Sequence, residues 1–121
     1  MLKRANRLRK RYQFSYVYKA GSHFSGKAVT IYCTTSKTKS VKVGFAVTKK
    51  IGHAITRNLF RRRLREIMRK QLPNLKQNYN IIVVAKDQIV QYDYHFIESE
   101  IIKLLEKANL YKNEENFKSD N

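Results

Sequence analysis

The stretch KVGFAVTKKIGHAITRNLFRRRLRE, from Lys42 to Glu66, changes its hydrophobic period part-way along. From Val41 to Thr48 the residues alternate, with Val41, Val43, Phe45 and Val47 on one side and Lys42, Gly44, Ala46 and Thr48 on the other. That is the period of a strand with one buried face. Lys49 to Ala54 reads as a loop, and a helical period then runs from about Ile55 to Leu72, where Pro73 and Asn74 break it. Projected at about 100° per residue, Phe60, Leu64, Ile67 and Met68 gather on one arc, which needs an apolar surface beneath it. Asn58, Arg61, Arg62, Arg65 and Arg69 occupy the adjoining arc, with Arg57 near the border. The segment thus predicts a strand feeding a helix that is greasy below and cationic above.

Working outward, Ala28 to Thr35 alternates like a second strand, with Val29, Ile31 and Cys33 opposite Thr30, Tyr32 and Thr34. The polar linker Ser36 to Ser40 joins it to the first. Asn80 to Lys86 is almost entirely apolar, as expected of a strand covered on both faces. A helix is predicted from Tyr12 to Gly21, and another from Asp93 to Leu110, with Asp93 as N-cap and Ile97, Ile101, Leu104, Leu105 and Ala108 as its buried stripe. The order helix, strands, helix, strand, helix describes an α/β domain built on one sheet. Residues 1–110 form one domain opening with a basic arm at 1–11, and 111–121 form a polar tail expected to fray. Strand–helix–strand implies a parallel pair, and the general rule would make its crossover right-handed. The small and polar side chains opposite Val41 and Val43 leave room above the sheet, so that Tyr32 and Thr48 either floor a groove or belong to a plain solvent-facing side.

Charge is distributed unevenly. The chain has 121 residues and a formal net charge of +17. Residues 1–65 hold 18 of the 26 basic side chains and no acid, whereas the rest holds 8 basic and all 9 acidic ones. A surface of one sign on this scale repels itself unless a polyanion relieves it, and nucleic acid is the polyanion that fits. The basic N-terminus lacks the apolar run of a signal peptide, and no segment is long and apolar enough to span or anchor in a membrane. A lone cysteine, Cys33, forms no internal disulfide and reads as a buried thiol. A cytoplasmic location is expected.

Arginine dominates the helix, and its planar fork can hold phosphate oxygens bidentately. Lys49 and Lys50 precede the helix N-terminus, where backbone N–H groups also favour phosphate. Asn58 adds a neutral donor and acceptor, and Glu66 lies four residues from both Arg62 and Lys70, placed to steady the helix. Within the first helix Phe14 and Tyr18 share one face and Tyr12 and Tyr16 another. Aromatic rings in a positive groove are a common platform for single-stranded nucleic acid, although one such stripe can equally pack on a sheet. Clustered carboxylates for a metal-dependent nuclease are missing, His23, His53 and His95 stand apart, and no phosphate-binding glycine loop is present. An RNA-binding protein that leaves bond cleavage to another component is the reading these residues support. A ribosomal or ribosome-assembly protein is the alternative.

Lys42 to Glu66, preceded by NRLRKRYQFSYVYKAG (Asn6 to Gly21) and followed by YNIIVVAK (Tyr79 to Lys86), resembles the bacterial ribonuclease P protein subunit. The family's arginine-rich signature is similar to Arg57, Asn58, Arg61, Arg62, Arg65 and Glu66. The resemblance spans about residues 2–110 and implies an α+β sandwich of the ribosomal protein S5 domain 2 type. In that fold the sheet is mostly four-stranded and the crossover through the arginine helix is left-handed, against the general rule. It implies a catalytic RNA as partner, one protein to one RNA, acting on precursor tRNA with Mg²⁺ held mainly by that RNA and the substrate, and no catalytic residue or metal ligand in this chain. Arg57, Asn58, Arg61, Arg62, Arg65 and Arg69 with Lys49 and Lys50 would dock on the catalytic RNA, and the basic arm would add Arg7, Arg9, Lys10 and Arg11. Phe14, Tyr18 and Tyr32, with Lys86 at the rim, would line a cleft for the single-stranded 5′ leader. Leu59 stands where the signature often has a basic residue, with Arg63 beside it to compensate, and Tyr18 where the family more often has Phe.

Overall fold

The computed structural model describes residues 3–112. Helices α1 (Arg11–Ala20), α2 (Ala54–Gln71) and α3 (Tyr94–Lys107) pack on a sheet of β1 (Ser22–Ser25), β2 (Val29–Thr35), β3 (Lys42–Ala46) and β4 (Tyr79–Ala85). The spatial order is β1-β2-β4-β3. Although Ser36 to Ser40 links β2 to β3 in sequence, the two do not pair. β4 enters between them, antiparallel to β2 from Val29↔Ala85 to Thr35↔Tyr79 and parallel to β3 from Lys42↔Asn80 to Ala46↔Val84. This central position accounts for the apolar run in β4, in which Ile81, Ile82 and Val83 are fully buried. The parallel β3–β4 pair needs a crossover connection, and α2 supplies it.

The fourth strand, β1, is too short and polar to show any period. Its pairing is what defines it, with Ser22 opposite Cys33 and His23 opposite Tyr32. The β1–β2 hairpin is fixed from outside. The Glu100 carboxylate on α3 accepts the backbone N–H groups of Lys27, Ala28 and Val29 at 2.6, 2.7 and 2.9 Å. Asp93 caps α3 as expected, its side chain accepting from Phe96 N at 2.8 Å. The helix stops short of Leu110 because Asn109 adopts a left-handed conformation, φ 58°.

Both faces of the sheet are covered, but unequally. On one side Val29, Ile31, Cys33, Val43, Ile81 and Val83 meet Phe60, Leu64, Ile67 and Met68 of α2 and Ile97, Ile101, Leu104 and Leu105 of α3 in the main core. On the other, α1 covers a small cluster in which only Leu8, Val17 and Ile82 are buried, with Phe14, Tyr32 and Val84 partly so.

The two ends of the described chain are tied down. In the basic arm, Arg7 bridges to Val43 on the free edge of β3, Leu8 N donates to Val43 O at 3.0 Å, and Asn6 Nδ2 donates to Val41 O at 2.8 Å. An otherwise open sheet edge is thereby capped. Fraying was expected from residue 111, yet Tyr111 bridges to Leu75, its hydroxyl donates to Gln71 Oε1 at 2.8 Å, and Lys112 N donates to Asn74 O at 2.7 Å. The remainder of that tail lies outside the described residues.

Candidate nucleic-acid interface

The arginine helix stands on its apolar arc as predicted: Phe60, Leu64, Ile67 and Met68 are all buried. Its opposite side forms a recess of about 560 Å³ lined by Asn58, Arg61, Arg62, Arg65 and Glu66. Arg61 Nη1 donates to Asn58 Oδ1 at 2.9 Å, which aims that guanidinium along the face. Partial burial, reinforced by the nearby cations of Arg7 and Arg61, shifts the Arg65 pKa downward. A guanidinium held among like charges is one that a phosphate would stabilise. Arg57, at the border, has its Nε buried without a hydrogen-bond partner.

Lys49 and Lys50 are exposed in a short 3₁₀ turn, Lys49–Ile51, directly ahead of α2. Gly52 follows with φ 146°, a conformation that residues with a Cβ rarely adopt, and it lets the chain turn sharply into the helix. His53 occupies the N-cap without a side-chain cap bond, so no side chain there satisfies the first-turn N–H groups.

Two expectations about α2 change. Glu66 pairs with Arg69, at 2.5 and 3.2 Å, and not with Arg62 or Lys70 four residues away. That forked bond holds the Glu66 carboxyl below its ordinary range and raises the Arg69 guanidinium. Lys70 turns instead to Glu98 of α3 at 3.5 Å. Arg69 is therefore the docking candidate whose charge is already matched, while Arg61, Arg62 and Arg65 line the recess. Arg63 lies over the Phe60 ring, 5.3 Å from its centroid, and is absent from the recess lining, so it does not take the role of a basic residue at Leu59.

Across the sheet a second arrangement takes shape. Register places His23, Tyr32, Ile82 and Gly44 in one row across four strands on the side facing α1. Phe14 stands on Gly44 so closely that a Cβ there would lie 2.4 Å from Phe14 Cζ and 3.2 Å from Leu8 Cβ. Tyr18 meets Tyr32 edge to face, with centroids 4.9 Å apart, and His23 lies tilted against Tyr32 at 5.5 Å. Burial first, and then the neighbouring Tyr32, raise the Tyr18 hydroxyl pKa. Phe14, Tyr18 and Tyr32, the three aromatics expected in the cleft, thus lie on the same side of the sheet. Thr48 is not with them: it lies past the end of β3, exposed ahead of the 3₁₀ turn. Lys86 sits at the hairpin end of the sheet with its ammonium bonded to Gly26 O.

Sequence reasoning missed one participant, and the structure says where another, Arg7 of the basic arm, is held. His23 enters the aromatic row through β1, and only the strand register reveals it. Arg7 joins the arginine face because the arm is stitched to β3, whereas Arg9, Lys10 and Arg11 stay exposed at the start of α1. Among the described residues no group of three or more His, Cys, Asp or Glu side chains could hold a metal ion. No helix among them is long and apolar enough to cross a membrane.

A small α+β domain with an arginine face on one helix and a separate aromatic row on the sheet defines a class of basic helix-and-sheet proteins. The comparisons narrow it. The family model described as Ribonuclease P matches residues 2–109. The ribonuclease P protein component of Alkaliphilus oremlandii (strain OhILAs) is 39% identical over 109 residues, covering 90% of this chain and 96% of that protein. The solved RNase P protein of Staphylococcus aureus superposes with a TM-score of 0.83 at 24% identity, covering 90% of this chain and all of the other. That of Thermotoga maritima gives 0.75 at 23% identity, covering 84% and 96%. The chain belongs to the bacterial ribonuclease P protein family, the protein component of a tRNA-processing ribonucleoprotein, and its partner is therefore an RNA.

Proposed function

We propose that this protein docks on a catalytic RNA through α2 and holds the single-stranded 5′ leader of precursor tRNA in the cleft beside α1, assisting removal of the leader. The observation that carries the reading is the physical separation of two differently built surfaces. One gathers Asn58, Arg61, Arg62 and Arg65 around a recess suited to a folded phosphate backbone. The other offers Phe14, Tyr18 and Tyr32 to unstacked bases. In this reading the RNA carries the chemistry and, with the substrate, holds Mg²⁺. One protein per RNA, acting in the cytoplasm, completes the proposal. A ribosomal or ribosome-assembly role has no support from the relatives described above.

Cleavage of precursor tRNA at low Mg²⁺, with and without the catalytic RNA, tests it. The protein should be silent alone and should stimulate the RNA. Cleavage by the protein alone, or no stimulation, would overturn the assignment.

A further inference from the structure

We propose that the outward face of α1 is a second stacking surface for single-stranded RNA, carrying the leader beyond the cleft. The inference rests on the leader reading above and adds a site to it. Tyr12 and Tyr16 lie one helical turn apart and are 68% and 58% exposed, the most exposed tyrosine or phenylalanine rings among the described residues. Packing accounts for neither ring, since the inner side of α1 is already filled by Phe14 and Val17. Their surroundings are cationic: Arg9, Lys10, Arg11 and Lys19 are all exposed on or beside this helix, and no acid precedes Glu66 in the chain. Lys10 Nζ approaches the Tyr12 ring at 6.0 Å from its centroid. Exposed rings interleaved with cations are what unstacked bases on a phosphodiester chain require. The surface belongs to the same short helix as the cleft, since α1 also carries Phe14 and the partly exposed Tyr18 on its other side.

The test uses the holoenzyme and precursor tRNAs whose leaders are lengthened one nucleotide at a time. For the wild type, affinity should keep rising after the cleft is filled. In Tyr12→Ala/Tyr16→Ala the rise should stop earlier, leaving short leaders unaffected and long ones weakened by about fivefold or more. Tyr12→Phe/Tyr16→Phe should restore the gain, because stacking needs the ring and not the hydroxyl. Both positions face solvent, so the melting temperature should not move. Superimposable length curves for the alanine and wild-type proteins would refute the proposal. So would an equal loss on mature tRNA, a failure of the Phe variant, or a change confined to self-association of the protein. Phe14→Ala separates the two sites. If it has no effect on any leader while the tyrosine variant shortens the useful length, the cleft reading fails and the outer face stands.

Discussion

The two sides of the sheet use opposite building rules. The side under α2 and α3 is sealed by aliphatic residues fully removed from water, from Val29 and Ile31 to Leu64, Ile67 and Leu105. The side under α1 buries only Leu8, Val17 and Ile82 and leaves its aromatic rings half in water. Burial of apolar area stabilises a fold in proportion to what is removed from solvent, so the first side holds the molecule together. The second forgoes some of that stabilisation, since Phe14, Tyr18 and Tyr32 stay partly accessible to water.

The sharpest way to break this contrast is to damage each side separately. Leu64→Ala on the sealed side should cost ~2–5 kcal/mol in urea unfolding, with the arginine face otherwise intact. A cost under ~1 kcal/mol would mean that α2 is not the anchor described. Gly44→Ala on the open side places a methyl group against Phe14 and Leu8. It should cost ~1–3 kcal/mol and, because Phe14 must yield, weaken binding of precursor but not mature tRNA. Unchanged discrimination would show that Phe14 is not part of the leader site. Smaller again is Arg62→Ala: it should lower the salt slope of RNA binding by about one phosphate contact and leave unfolding almost unaffected. An unchanged slope would remove Arg62 from the interface.

The smallest effect belongs to Glu66→Gln. Hydrogen bonding to Arg69 holds the Glu66 carboxyl below its ordinary range. A depressed carboxylate contributes stability that is present above its unfolded pKa and lost as pH falls through the folded one. The pair is exposed, so the melting-temperature difference between wild type and variant should be small at neutral pH and vanish in acid. A difference that grows on acidification would contradict the pairing.

Much of this was legible in the chain. Alternation at Val41 to Val47 and the 3.6-residue period through Phe60, Leu64, Ile67 and Met68 located β3 and the footing of α2, because burial on one face leaves a periodic trace. The same spacing grouped Asn58, Arg61, Arg62 and Arg65. What stayed hidden depends on partners distant in sequence. β1 exists through its pairing with β2, and its four residues carry no period of their own. Glu66 chose Arg69 over partners at equally plausible spacing, which rotamers decide and composition does not. Arg7 became part of the arginine face only because Leu8 and Asn6 fasten the arm to β3. Tyr111 was expected to fray for want of any sign that Leu75 and Gln71 would receive it.

The central claim is that α2 grips the catalytic RNA while the open face of the sheet reads the leader. It is tested most directly by measuring holoenzyme affinity for precursor and mature tRNA side by side in Phe14→Ala. The account predicts a loss of ~1–3 kcal/mol on the precursor alone, with the mature tRNA bound as in the wild type. Equal losses on both substrates, or none on either, would contradict it.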